Sequence, residues 1–152
     1  MNTKFLVASL ALALGAGTAA SAFAQAKPEV LVKQRQAAMT LQGKYFGPLG
    51  GMAQGKIPFD AKIVARNAGF LNALSQMPWD GFDPSTLGVK SGALPEIWKD
   101  SAKFKSAQDL LVTNVTKLVD AAKGGNEAAM KTASADVGKA CGGCHDNFRE
   151  KK

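Results

Sequence analysis

The stretch Cys141-Gly142-Gly143-Cys144-His145, near the end of the 152-residue chain, decides how the rest of the sequence is interpreted. On a helix, the second cysteine stands three positions after the first and the histidine stands four, so the three side chains share one face. The chain contains two cysteines and one histidine in all, and this stretch holds every one of them. The two glycines between the cysteines remove side chains where a bulky group attached to this stretch would lie close.

The pattern C-x-x-C-H is the attachment signature of c-type haem. Thiols at this spacing can add to the two vinyl groups of one porphyrin, and the histidine that follows is then held against the iron as an axial ligand. The sequence therefore predicts one haem c per chain, covalently bound by Cys141 and Cys144, with His145 as an iron ligand.

Three other interpretations of this stretch compete with haem attachment. The two cysteines could form a disulfide in an oxidising compartment, although a redox-active C-x-x-C normally sits on a βαβ scaffold. The stretch could bind zinc, but a closed four-ligand site would then need a carboxylate as its fourth ligand. Finally, His145 could be an ordinary surface residue.

Helical patterning extends from this stretch back through the chain, and no segment alternates apolar and polar residues as a strand would. Four helices joined by two short links and one long crossover are typical of an all-α, antiparallel four-helix bundle, which buries cofactors between its helices. We expect the haem near one end of that bundle. The first predicted helix begins at Pro28, with a kink or fraying at Gly47-Pro48. The second runs from Asp60 as N-cap to Met77-Pro78, and the third runs from about Pro95 to Lys123. The fourth begins at Asn126 as N-cap and ends near the C-terminus.

A long connection over residues 77–95 separates the second and third predicted helices. Loops of this length are unusual in a compact domain unless they have a function. This one carries Trp79 and Phe82, which we expect to pack on the porphyrin, with plain core packing as the alternative for Trp79.

The first 24 residues have the pattern of a secretory signal peptide. Lys4 precedes an apolar run from Phe5 to Leu14, and Ala22-Phe23-Ala24 resembles a cleavage site. The run is too short for a membrane-spanning helix. We therefore expect a periplasmic protein without a membrane anchor, its single domain covering residues 25–152.

The chain is basic, with 19 lysines and arginines against 12 acidic residues and a formal net charge of +7. The basic residues are scattered, and no basic stripe with interleaved aromatics indicates nucleic-acid binding. A positive surface gives a weak preference for acidic redox partner proteins through electrostatic steering.

With the C-x-x-C-H motif on its last helix, the whole predicted domain resembles the class II c-type cytochromes, most of all cytochrome c-prime (cytochrome c'). Low-spin class II cytochromes are the next most similar group. The segments that carry the resemblance are Lys27-Pro28-Glu29, Arg35-Gln36, Leu74 to Trp79, Pro95-Glu96-Ile97-Trp98, Val137 to His145, and Arg149.

The resemblance implies that Arg35 and Gln36 lie beside the haem, with Arg35 near a propionate, and that Arg149 lies near His145. An arginine on an apolar helix face also calls for an anion on chemical grounds, unless it extends to solvent at the bundle end. The resemblance further places Met39 on the side of the iron opposite His145. For Met52, Met77 and Met130 we expect core packing.

Two functions follow from the two states of Met39. If Met39 only packs over a five-coordinate iron, the protein binds small gases such as nitric oxide (NO) or carbon monoxide (CO) and also transfers electrons. If its sulfur ligates iron, the protein is a six-coordinate electron carrier without a gas-binding role. A third interpretation is a helical binding module without cofactor. We expect no enzymatic activity, and the resemblance suggests a homodimer formed through the first two helices.

Overall fold

The computed structural model describes residues 26–151, which form a bundle of helices. The helices are α1 (Pro28–Ala53), α2 (Ala61–Leu74), the one-turn α3 (Glu96–Lys99), α4 (Ser101–Gly124) and α5 (Glu127–Phe148). The four long helices each pack against two neighbours, in the order α1, α2, α4, α5 and back to α1. The predicted all-α four-helix bundle is thus confirmed. The predicted signal peptide lies outside the described residues.

Polar side chains cap two helices where the sequence predicts them. The carboxylate of Asp60 accepts hydrogen bonds from the backbone N–H groups of Lys62 and Ile63 at the start of α2. The side-chain oxygen of Asn126 accepts one from the Ala129 N–H at the start of α5. Each cap satisfies backbone donors that have no partner inside the helix.

Helix α1 does not fray at Gly47-Pro48, so the prediction of early fraying there is wrong. The helix continues to Ala53 with Pro48 inside it. A proline removes one backbone hydrogen bond from a helix interior. Here the last turns are held by burial, because Leu49 and Met52 are both enclosed in the core.

Two other predicted boundaries differ from the structure. The third predicted helix is interrupted at Asp100, whose carboxylate caps the N–H of Lys103 and so begins α4 as a separate helix after α3. Helix α2 ends at Leu74, short of Met77-Pro78. The Met77 N–H bonds the Leu74 carbonyl three residues back, so the chain leaves α2 through a tighter turn.

The interior has two parts of different composition. The larger one, which we call the aliphatic cluster, is centred on Leu49, Val64, Val115, Leu118 and Met130. The smaller one, the aromatic cluster, lies at one end of the bundle and contains Trp79, Phe82, Ile97, Phe104 and Phe148. Cys141 packs against the aliphatic cluster and Cys144 against the aromatic cluster, so the predicted attachment motif joins the two.

None of the helices within residues 26–151 combines the length and the hydropathy that crossing a membrane requires.

Candidate functional site

A cavity of about 680 Å³ opens between α1, α5 and the aromatic cluster. Ligand-binding cavities in proteins commonly have 300–1,000 Å³. Every residue that the sequence predicts for the site lines this cavity: Arg35, Gln36 and Met39 on α1, Phe82 in the long loop, and Cys141, Cys144 and His145 on α5. The structure thus brings together residues that lie more than a hundred positions apart in the chain.

The motif residues occupy one half-buried face of α5. Cys141 and Cys144 are both free thiols. Burial raises the pKa of Cys141 to about 11, and the neighbouring Cys144 adds to the effect. Burial likewise raises the pKa of the Cys144 thiol. Redox-active C-x-x-C pairs have lowered thiol pKa values, so these two thiols do not resemble a disulfide-exchange site.

His145 lies on the same face, in a partly desolvated position. Burial lowers its imidazole pKa, the positive charge of Arg149 lowers it further, and Asp146 opposes both effects. A neutral imidazole is the form that ligates metals. No three acidic, histidine or cysteine side chains within residues 26–151 cluster closely enough to hold a metal ion by themselves. The described residues therefore lack the ligand set of a closed zinc site, whereas one imidazole beside two thiols would be enough to hold a haem.

Arg35 forms the polar edge of the cavity and is only 3% exposed. Its Nη1 donates to the Gly81 carbonyl at 2.6 Å and to the Thr86 hydroxyl at 2.9 Å, and its Nη2 donates to the Ser91 hydroxyl at 2.9 Å. All three acceptors are neutral. Burial lowers the Arg35 pKa, and no carboxylate within residues 26–151 forms an ion pair with its guanidinium.

Gly81, Thr86 and Ser91 are site residues that the sequence analysis missed. A Cβ atom added at Gly81 would lie 2.6 Å from the Arg35 Cβ and 2.9 Å from the Leu31 carbonyl oxygen. Only glycine allows the loop to approach α1 this closely. The sequence feature that could have indicated these residues is the unusual length of the 77–95 connection. Three positions along it bond Arg35 on α1.

Aromatic rings line the cavity beside Arg35. The guanidinium carbon lies 4.5 Å from the centre of the Phe82 ring. Phe82 and Phe104 meet edge to face at 4.9 Å, and Phe104 meets Phe148 in the same way at 5.2 Å. The Trp79 indole N–H donates to the Ser75 carbonyl, so its polar group is satisfied while the ring lines the cavity. Trp79 therefore both packs in the core and faces the cavity.

The C-terminal end of α5 is tied to the long loop. The Leu94 N–H donates to the Phe148 carbonyl, and the Glu150 N–H donates to the Gly92 carbonyl. These bonds flank an isolated bridge between Ala93 and Arg149. They hold Arg149 at the cavity, where its charge lowers the pKa of the His145 imidazole.

The methionines separate clearly by position. Met39 is half-buried and lines the cavity from α1, whereas Cys141, Cys144 and His145 line it from α5. Met52 and Met130 belong to the aliphatic cluster, as predicted. Met77 is 56% exposed, so the prediction of core packing is wrong there.

The cavity fits a haem by three features of its wall. It is largely apolar, it presents two thiols and one imidazole from one helix face, and it places a buried cation with only neutral partners at its edge. An anionic carboxylate from a bound group would complete the surroundings of Arg35. A helical bundle with C-x-x-C-H beside such a cavity has the architecture of a c-type cytochrome.

Comparison with known proteins gives the family. The sequence profile of the family described as "Cytochrome C'" matches residues 30–149. The cytochrome c' of Rubrivivax gelatinosus is 44% identical over 126 residues, covering 82% of this chain and 98% of that protein. The chain therefore belongs to the cytochrome c' family, whose members carry covalently attached haem c.

Solved structures agree with this assignment. The Rubrivivax gelatinosus structure superposes with a TM-score of 0.77, and that of Shewanella frigidimarina cytochrome c', 36% identical, with 0.79 over 84% of this chain and 99% of that one. A nitric oxide complex of a mutant cytochrome c' from Alcaligenes xylosoxidans, 42% identical, superposes with 0.77 over 84% of this chain and 99% of that one. The chain is a monohaem c-type cytochrome of this family.

Proposed function

We propose that this protein is a periplasmic cytochrome that binds nitric oxide and related small gases at a five-coordinate haem iron and also exchanges electrons with redox partner proteins. The observation that carries the proposal is that Cys141, Cys144 and His145 on α5 and Met39 on α1 line one and the same cavity. When bound, the haem supplies an iron that cycles between two oxidation states and accepts small ligands.

The α5 face would hold the group on one side. Cys141 and Cys144 would form the two thioether links, and the helix between them would fix the orientation of His145. Burial favours a neutral His145 imidazole, which has a free lone pair for the iron. The hydrogen bonds between residues 92–94 and 148–150 hold the end of α5 against the loop and so limit movement of this ligand.

Arg35 and Gln36 would form the edge of the site near the propionates. Arg35 is buried with neutral acceptors only, whereas Gln36 is exposed at the cavity rim. A charge-assisted hydrogen bond to a carboxylate is about twice as strong as a neutral one. Phe82 lies under the guanidinium and would pack against the porphyrin.

The opposite wall would leave the sixth coordination position open. Met39 lines it together with apolar side chains such as Leu71 and Val115, which favour a small neutral ligand over a charged one. The nitric oxide complex of the Alcaligenes relative supports this ligand class. In the alternative, the Met39 sulfur ligates iron and no gas binds. The resting ferric protein would then be low-spin, whereas an open sixth position predicts a high-spin spectrum.

A second copy of the chain and a redox protein are the proposed macromolecular partners. Leu41 on α1 and Phe70 on α2 are both more than 40% exposed, which suits a dimer formed through these two helices. The net charge of +7 suits an acidic redox partner. Sedimentation of the mature protein tests the dimer, which a purely monomeric species would contradict.

The function is tested by expressing the full chain in a bacterium that matures c-type cytochromes. Mass spectrometry of the periplasmic fraction should show one covalent haem per chain. Titration of the ferrous protein with nitric oxide should then saturate at one NO per haem. A haem-loaded protein that takes up no nitric oxide would contradict the gas-binding role, and recovery of the protein from the cytoplasm alone would contradict the location.

A further inference from the structure

Gln42 places a buried amide in the wall of the cavity. Its side chain lies on α1 three positions after Met39 and seven after Arg35, hence on the same helix face. It is 8% exposed, and it lines the cavity together with Met39 and Leu71. An amide among apolar side chains is costly unless its polar atoms have partners.

One hydrogen bond of this amide is defined by the structure. The Gln42 Nε2 donates to the Leu74 carbonyl oxygen at 2.9 Å, which joins α1 to the end of α2. A carbonyl oxygen can only accept, so this bond fixes which end of the amide is the nitrogen. A glutamine amide offers two N–H donors and an acceptor oxygen. Only one N–H of Gln42 has a partner among residues 26–151.

Asn67 and Asn114 are the other two buried amides within residues 26–151, and neither lines the cavity. Asn114 makes one bond, to the Asp136 carbonyl at 3.1 Å, whereas Asn67 is bonded at both ends. Asn67 is 1% exposed, and its Nδ2 donates to the Tyr45 carbonyl at 2.9 Å. Its oxygen also has a partner, because it accepts from the Arg66 Nε at 3.1 Å. Asn67 thus uses both ends of its amide for the fold, whereas Gln42 uses one, and the Gln42 side chain lines the cavity.

We propose that the free part of the Gln42 amide hydrogen-bonds a small ligand held in the cavity beside Met39, and so tunes which small ligands bind there. The inference rests on the proposed function, since it requires an open ligand position at the iron. Ligands whose outer atom carries partial charge, such as nitric oxide, would gain from this contact. Gln42 is then a specificity-determining residue in a wall that is otherwise largely apolar.

The test compares Gln42→Met with the wild type. Methionine has a similar length but no amide. In the ferrous CO complex, the C–O stretching frequency should shift between the two proteins. NO affinity should fall about two- to tenfold in Gln42→Met, which corresponds to one hydrogen bond of about 0.5–1.5 kcal/mol. If the wild-type iron takes no CO, the same comparison is made in Met39→Ala, where the ligand position is open.

Asn67→Leu is the control for a merely structural effect. It also removes a buried amide that bonds a backbone carbonyl, so it should lower the melting temperature without moving the C–O frequency. An unchanged C–O frequency and NO affinity in haem-loaded Gln42→Met would overturn the inference while leaving the proposed function intact. Absence of covalent haem from the wild type would overturn both, and mass spectrometry of every variant distinguishes the two cases.

Discussion

The two ends of the bundle interior are built for different purposes. The part of the aliphatic cluster that does not line the cavity is closed, with Leu49 and Leu118 fully buried. The end that carries the aromatic cluster instead opens on a cavity, and its polar groups bond across long sequence distances, as Arg35 does to Ser91. One end is filled by the chain's own side chains, whereas the other is shaped around a group that the chain does not itself supply.

This contrast indicates that stability and function are largely separable along α5. Cys141 packs against the aliphatic cluster and Cys144 against the aromatic one, so the helix runs from the closed part of the core into the cavity. Changes in the closed part should act on unfolding, whereas changes around the cavity should act on the haem.

The largest expected effect is the loss of the thiols. Cys141→Ala combined with Cys144→Ala should abolish covalent haem retention, because the chain has no other cysteine. Acid-acetone extraction followed by a haem stain on a denaturing gel measures this directly. Haem that stays with the polypeptide after extraction would show that the attachment assignment is wrong.

Leu118→Ala probes the closed part of the core. Leu118 is fully buried in the aliphatic cluster, so the change should lower the free energy of unfolding by about 3–5 kcal/mol. The haem spectrum should stay unchanged, because Leu118 does not line the cavity. Denaturant unfolding together with an absorption spectrum of the folded variant tests both parts. A changed haem spectrum would contradict the proposal that stability and haem binding depend on separate parts of the core.

Arg35→Leu probes the polar edge of the cavity. Three neutral acceptors would lose their donor, and a propionate would lose its cationic partner. We expect a loss of about 1.5–3 kcal/mol in unfolding free energy and a shifted reduction potential. Potentiometric titration and thermal melting measure these effects. If both stay at wild-type values, Arg35 has no role at the haem edge.

Gly81→Ala tests whether the close approach of the loop to α1 requires glycine at this position. The added methyl group would collide with Arg35 and with the Leu31 carbonyl, so we expect a loss of about 1–3 kcal/mol in unfolding free energy. Gly88→Ala in the same loop is the matched control, since a Cβ there meets nothing within 4 Å. Equal melting temperatures for the two variants would show that the close approach at Gly81 is unimportant.

The sequence allowed the helices and the attachment motif to be predicted because both depend on local signals. Asp60 and Asn126 cap their helices through residues two or three positions away. The C-x-x-C-H spacing likewise lies within one turn of helix. The interruption at Asp100 and the continuation of α1 through Pro48 were not predicted, because packing and capping outweighed the local preference there.

The surroundings of Arg35 and Gln42 could not be predicted in the same way. Arg35 bonds residues 46 to 56 positions later in the chain, and Gln42 bonds Leu74, 32 positions later. Such contacts depend on how the loop and α2 return to α1. Helical periodicity alone would have placed Gln42 on the Met39 face, and that signal was overlooked.

The central claim is that the α5 motif binds haem on one side while Met39 leaves the other side of the iron open. Absorption spectra of the wild-type ferric, ferrous and CO-treated protein test it most directly. We predict a high-spin, five-coordinate iron that binds CO in the ferrous state. A low-spin ferric spectrum with a thioether-to-iron charge-transfer band, lost in Met39→Ala, would contradict the claim and establish Met39 as the sixth ligand of an electron carrier.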